Sequence, residues 1–191
     1  MKSYLYLAVG LAGLALSGCV LTSVTPYYTE KDTVFEAGLS GEWVDPNEPG
    51  ARWRFEREGD KAYRLTHTEE GKSKVSEARL FKLRDQLFLD LYDPQAGEDG
   101  VPPAIPSHYL LRVLEIRPGL RVAPLKYDWL QEHLEANPKA LRHFVIPGGE
   151  QPADRRLVLT GDTAELQAFV IQQLNNQQAW KDEVELKRVT P

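Results

Sequence analysis

Cysteine is almost absent from this sequence, since Cys19 is the single residue of that type. One cysteine excludes an intramolecular disulfide, and it removes thiol catalysis and metal sites built from several cysteines. Blocks of like charge are also missing, because the 23 basic and 28 acidic residues are interspersed and give a net charge of −5. A nucleic-acid partner is therefore not expected.

Long apolar runs are missing too, apart from residues 4–16 near the N-terminus. Lys2 precedes this run, and small residues separate it from Cys19. The run is shorter than the roughly 20 residues that a transmembrane helix needs. The order of positive charge, apolar run and small residues is typical of a cleaved export signal, so residues 1–18 are predicted to be a signal peptide.

The segment Leu16-Ser17-Gly18-Cys19 resembles the bacterial lipobox. The resemblance implies that signal cleavage falls between Gly18 and Cys19, and that the Cys19 thiol carries a diacylglyceryl group, usually with an acyl chain on the new amine. Buried acyl chains anchor a protein by about 0.8 kcal/mol per methylene. In a host with an outer membrane, Val20 favours that membrane, because aspartate at this position would imply retention at the inner one. The periplasmic and surface faces both stay open.

Residues 19–33 are mostly polar and contain Pro26, so they are predicted to form the lipidated N-terminus and a tether. Tyr27 and Tyr28 suit either the membrane interface, which favours aromatic rings with a polar tip, or the start of the packed domain. Residues 34–191 are predicted to be a single β-rich globular domain, because their number lies in the range of one domain.

From about Leu39 onward, apolar and charged residues alternate, and turn residues recur every eight to twelve positions. Trp53 and Phe55 alternate with charged neighbours, and Gly59 and Gly71 mark hairpin turns. This period-two pattern predicts an antiparallel meander. The predicted strands begin at Trp43 and cover residues 52–58, 62–67, 78–83, 87–92, 108–116, 120–124, 140–146, 156–160 and 184–189.

Two helices are predicted among these strands. Residues 128–136 place Trp129, Leu130 and Leu134 on one side and end before Pro138. The second helix follows Asp162-Thr163-Ala164-Glu165, which has the pattern of a capping box. Its predicted buried residues are Leu166, Phe169, Val170 and Leu174.

The predicted fold class is mainly β (α+β), with an antiparallel meander that closes into a barrel or half-barrel and two packed helices. Closure would remove the two free edges of the meander, which otherwise favour aggregation. An open sheet of five to eight strands with both helices on one face is the alternative.

Gly41-Glu42-Trp43 resembles the G-x-W motif that opens the first strand of a lipocalin. The resemblance implies that Trp43 packs across the floor of a barrel against an arginine from the last strand, for which Arg188 is the candidate. Bacterial lipocalins are often lipoproteins, in agreement with Cys19. The chain also resembles uncharacterised bacterial lipoproteins, which imply no particular function, at residues 41–43, 87–91, 128–130 and 159–160 and in the second helix.

Patterns for catalysis and metal binding are weak. Ser107 and His108 are adjacent on a strand, so their side chains point to opposite faces and make a poor dyad. The other candidates are carboxylate pairs for acid–base chemistry and histidines without the close spacing of a metal site. We therefore expect no enzymatic activity, no metal and no cofactor other than the covalent lipid. These other candidates are Asp90 with Asp93, Glu98 with Asp99, His67 with Glu69, and His133 with His143.

The expected function is binding of a small apolar or amphipathic ligand in a lipocalin-like barrel, by a protein anchored to a membrane. The proline-rich segment 93–107 between two strands would form a lid. The alternative is an envelope assembly or scaffold lipoprotein that docks a protein partner through this loop and the first helix. The candidate ligand-binding residues are Tyr92, Val101, Ile105 and His108.

Overall fold

The structure of the protein is a computed structural model, which describes residues 20–48, 50–93, 106–146, 156–180 and 182–189. Within these ranges neither helix is long and apolar enough to cross a membrane. The helices are α1 (Tyr127–Ala136) and α2 (Thr163–Gln172). The strands are β1 (Val20–Ser23), β2 (Gly41–Val44), β3 (Arg52–Glu58), β4 (Ala62–Glu69), β5 (Lys72–Leu83), β6 (Gln86–Tyr92), β7 (His108–Glu115), β8 (Leu120–Pro124), β9 (His143–Ile146), β10 (Arg156–Leu159) and β11 (Val184–Arg188).

Eight strands form a closed antiparallel barrel, in the order β2, β3, β4, β5, β6, β7, β8 and β11. β11 closes the ring, because it pairs with β8 at Val184↔Val122 and with β2 at Arg188↔Trp43. The predicted barrel with two packed helices is confirmed. The alternative of an open sheet is not what the chain forms.

Alternate residues of the barrel strands point inward, as the period-two pattern predicts. In β3, for example, Trp53 and Phe55 are buried while their neighbours are exposed. The inward side chains form one core inside the barrel. Its buried members are Leu39, Trp43, Trp53, Phe55, Tyr63, Leu65, Ala78, Leu80, Leu89, Leu111, Val113, Leu120, Val122, Val184 and Leu186.

A second core covers part of the outer wall of the barrel. Outward side chains of β5 and β6 join it, and the rings of Phe81 and Phe88 stack with centroids 5.6 Å apart. α1 adds Leu130 and Leu134 to this core, and α2 adds Leu166, Phe169 and Val170. The apolar sides of both helices are therefore used in packing the domain.

The capping box predicted for α2 is present. Asp162 Oδ1 accepts a hydrogen bond from the backbone N–H of Glu165 at 3.0 Å, and Glu165 Oε2 accepts one from the backbone N–H of Asp162 at 3.4 Å. These bonds satisfy two of the backbone donors that a helix start leaves without partners.

Three strands extend the barrel wall beside β7. β1 pairs with β7 at Ser23↔His108, β10 lies parallel to β1, and β9 lies antiparallel to β10 on the outside. We call β1, β10 and β9 the extension.

The structure differs from the tether predicted over residues 19–33. Val20–Ser23 is the first strand of the extension, Tyr27 is 1% exposed in the outer core, and Thr33 forms a β-bridge with Phe81. A four-residue strand with two hydroxyl side chains has too little apolar alternation to be recognised, and its pairing comes from a strand more than a hundred residues later. For Tyr27, the structure favours the alternative in which the packed domain has already begun.

Candidate ligand site at the upper mouth of the barrel

The two ends of the barrel differ in what closes them. We call the lower end the one where β2 begins at Gly41 and β11 ends at Arg188. At the upper end β4 finishes at Glu69, β6 finishes at Tyr92 and β7 begins at His108. Residues 94–105, which join β6 to β7 in the sequence, lie outside the described residues.

Trp43 and Arg188 close the lower end. The Arg188 guanidinium carbon lies 5.0 Å from the centroid of the Trp43 ring, and its two terminal nitrogens donate to the carbonyls of Gly38 (2.9 Å) and Ser40 (2.5 Å). Gly41 has a φ of +136°, and a Cβ there would lie 2.7 Å from an Arg188 nitrogen. Only glycine therefore suits the first position of the G-x-W motif, and the contact that the lipocalin resemblance implied is present.

The lower and middle parts of the barrel are filled by side chains. Phe55, Tyr63, Leu80 and Leu89 are at most 1% exposed, so no water-sized space adjoins them. The Tyr63 hydroxyl also holds the segment below the barrel, because it accepts from the backbone N–H of Glu36 at 2.7 Å and donates to the Glu36 carbonyl at 3.1 Å. A deep ligand chamber in this part of the barrel is therefore excluded.

Above this filled part, inward positions of β4, β5 and β7 carry polar side chains. By strand alternation His67 and Glu69 share a face of β4 with buried Leu65, and His67 meets Trp53 edge-on with ring centroids 5.3 Å apart. Lys74 Nζ lies 2.7 Å from Asp93 Oδ2. We call His67, Glu69, Lys74, Asp93 and Tyr109 the mouth cluster.

The pKa values of two members of the mouth cluster are shifted in the direction that favours their neutral forms. Burial lowers the pKa of His67, and Lys74 lowers it further, while Glu69 opposes this shift. Burial raises the pKa of Tyr109, as does Asp93, while Lys74 and Arg156 act in the opposite direction. A neutral imidazole has one donor and one acceptor, and a neutral phenol can both donate and accept, so the cluster offers both kinds of hydrogen bond.

A small cavity of about 10 Å³ lies among the residues at this mouth, which is room for about one water molecule. A ligand larger than water would therefore lie over the mouth cluster, with Trp53 beneath it. The residues that line the cavity are Asp45, Glu48, Ala51, Trp53, His67, Glu69, Val184 and Leu186.

Two of the ligand-binding residues predicted from sequence, Tyr92 and His108, lie together on the outer wall. Their rings stack with centroids 4.9 Å apart, and His108 Nδ1 is 2.7 Å from Asp90 Oδ1. The other Asp90 oxygen accepts from the backbone N–H of Tyr27 at 2.9 Å. His108 thus supports the packing of the N-terminal segment through Asp90, and Tyr92 stacks on His108 outside the barrel interior. Val101 and Ile105 lie outside the described residues, as do Gly18 and Cys19.

Of the pairs weighed for catalysis and metal binding, His67 and Glu69 lie together in the mouth cluster, and the other candidates in the described part of the chain have separate surroundings. Asp90 points to the outer wall, whereas Asp93 reaches Lys74 of the mouth cluster. His133 stacks on Trp129, and His143 Nδ1 lies 2.8 Å from the Leu141 carbonyl oxygen. The described residues contain no group of three or more histidine, cysteine or carboxylate side chains placed to hold a metal. Glu98 and Asp99 lie outside them.

Sequence reasoning found His67 and Glu69 only as weak metal candidates and did not single out Lys74 or Tyr109. The available signal was alternation, since each shares its strand face with buried leucines. Comparison with protein-family models, curated proteins and solved structures finds no match for this chain. The strand pairing alone defines the class of the fold, which is a closed eight-stranded antiparallel barrel with two packed helices and a three-stranded extension.

Proposed function

We propose that this protein is a lipid-anchored bacterial envelope protein, which binds a small amphipathic molecule at the upper mouth of its barrel and does not act as an enzyme. The observation that carries the proposal is the change inside the barrel from a filled apolar core to the mouth cluster. Such a boundary suits a molecule with an apolar part and a polar group.

The anchor is proposed from the sequence order of Lys2, the apolar run and the lipobox ending at Cys19. An outer-membrane location, at either face, follows from the same resemblance. A membrane location suits an amphipathic ligand, because lipids and their fragments are concentrated there.

The ligand chemistry is proposed from the groups at the mouth. The indole of Trp53 and the side chain of Val184 offer apolar surface, since both adjoin the mouth cavity. Lys74, His67 and Tyr109 offer donors for a polar group, and the carboxylates of Glu69 and Asp93 offer acceptors. Lys74 is about half exposed, so it is the cluster member that an incoming polar group would meet first.

The test compares two tryptophan substitutions at neighbouring positions. Lys74→Trp places a large ring over the mouth, whereas Val75→Trp places it on the opposite face of β5, where Val75 is 36% exposed. Native mass spectrometry of the full-length, lipidated protein, released from detergent micelles, would measure noncovalent mass beyond the acyl chains. We expect that mass in the wild type and in Val75→Trp and its loss in Lys74→Trp.

A wild-type protein that carries only its covalent acyl mass would contradict ligand binding. Equal retention of the ligand by both variants would instead show that the ligand binds somewhere other than the mouth cluster.

A further inference from the structure

The outermost strand of the extension exposes two large apolar side chains. Phe144 is 41% exposed and Val145 is 45% exposed, and both belong to β9, the last strand in the sheet order of the described residues. Neighbouring residues of a strand point to opposite faces, so the edge is apolar on both faces. An apolar strand at a sheet edge favours association unless something covers it.

This edge lies close to the proposed lipid anchor. Cys19 directly precedes Val20 in the sequence, and Val20 pairs with Arg156, which pairs in turn with Ile146 at the end of β9. Adjacent strands are about 4.8 Å apart, so Ile146 lies on the order of 10 Å from Val20. An anchor on Cys19 would therefore hold this end of the extension beside the bilayer surface, with no spacer between them.

The charge at this end also suits a membrane surface. Arg156 stands between Val20 and Ile146, is exposed, and has no ion-pair partner within the described ranges. Exposed basic residues near a bilayer are attracted to anionic headgroups. The edge thus combines a positive side chain with apolar ones, as interfacial segments do.

We propose that the β9 edge contacts the bilayer that carries the anchor, with Phe144 and Val145 at the level of the headgroups. The proposal rests on the lipid anchor at Cys19 that forms part of the proposed function. Contact at headgroup depth leaves the open backbone groups of β9 within reach of water, which a position deeper in the hydrocarbon would not. The domain is then held in one orientation, on the side of β9.

The test uses the single native cysteine to advantage, because its thiol is blocked once it carries lipid. Val145→Cys and, as the matched control, Val75→Cys each give the full-length lipidated protein one free thiol for an NBD fluorophore. The labelled proteins are reconstituted in vesicles of phosphatidylethanolamine and phosphatidylglycerol that contain a headgroup-proximal doxyl-labelled lipid. Interfacial side chains lie roughly 5–10 Å into the membrane surface, so we expect about twofold or greater quenching at position 145 and little at position 75.

The outcomes separate the anchor from the contact. An intact mass without acyl chains would overturn the anchor and this proposal together. An acylated protein whose label at 145 is quenched no more than that at 75 would overturn the membrane contact alone. A third outcome would also overturn the membrane contact. In it, the NBD label at 145 is shielded from water but is not quenched by the doxyl lipid, and the shielding grows with the ratio of protein to lipid. That result would indicate a second copy of the protein on this edge.

Discussion

At the scale of single residues, Asp90 joins the N-terminal segment to the barrel. It is 1% exposed and is held by two partners, the backbone N–H of Tyr27 and the ring of His108. A buried carboxylate is tolerable only where such partners replace water. Removing it would leave both partners without an acceptor.

We expect Asp90→Ala to lower the free energy of unfolding by about 2–3 kcal/mol, because a buried hydrogen-bonding group that loses its partner is costly. Urea unfolding followed by tryptophan fluorescence measures this loss, and hydrogen exchange should show faster exchange at the amide of Tyr27. Asp85, which is fully exposed in a hairpin turn, gives the control Asp85→Ala, with a change within about 0.5 kcal/mol. Equal losses of unfolding free energy in the two variants would show that the buried contacts of Asp90 do not stabilise the fold.

The role of Asp90 could not be read from the sequence, because strand alternation shows only that its side chain points away from those of Leu89 and Leu91. What the Asp90 side chain meets depends on the N-terminal segment that follows β1, because this segment brings Tyr27 to Asp90. The position of β1 depends in turn on its pairing with β10. Trp43 and Arg188 are the opposite case. Their contact was anticipated, because the resemblance supplied a pairing that neither residue could suggest alone.

At the scale of elements, the capping box of α2 contrasts with the start of α1, where Lys126 provides no side-chain cap. Since α2 carries three buried residues of the outer core, its first turn supports that packing directly. Substitutions at the two helix starts therefore compare the loss of a side-chain cap in α2 with the loss of a first-turn charge alone in α1.

Asp162→Ala should cost about 1 kcal/mol of unfolding free energy, because an N-cap acceptor is lost. Asp162→Asn keeps an acceptor and loses the ion pair with Arg142, which is exposed and screened by water, so its destabilisation should be much smaller than that of Asp162→Ala. In α1, Asp128→Ala removes a first-turn charge without removing a cap, so about 0.5 kcal/mol or less is expected. Urea denaturation of the three variants ranks these effects, and a loss for Asp162→Asn as large as for Asp162→Ala would assign the stability to the ion pair.

Most elements follow from local pattern, since apolar residues recur at alternate positions in strands such as β3 and the strands of the meander pair with their sequence neighbours. β5 is longer than predicted because residues 72–77 are largely polar and their pairing with β4 continues beyond the apolar alternation. β1 was not predicted, because it is short and pairs in parallel with β10, which lies more than a hundred residues later in the chain. The mouth cluster depended on barrel closure, which decides which face of each strand is enclosed.

At the scale of the whole molecule, the domain begins where the predicted signal peptide ends. We expect Cys19→Ser to abolish the acyl mass and, with it, cleavage before residue 19, because the lipobox resemblance places lipid addition on that thiol. Ser17→Ala keeps a small residue before the cleavage point and should be processed as the wild type. Intact-protein mass spectrometry distinguishes these products, and an unchanged acyl mass in Cys19→Ser would rule out Cys19 as the attachment site.

The pairing of β11 between β2 and β8 has a consequence for the order of events during synthesis. β2 is synthesised long before β11, because it lies about 140 residues earlier in the chain. The pairing of Trp43 with Arg188 is therefore completed only when almost the whole chain has been made. Until then both β2 and β8 present open edges, and a late, long-range pairing is slow to form. The barrel therefore cannot finish folding progressively from its first strand, and the incomplete chain would need protection from its neighbours while it waits.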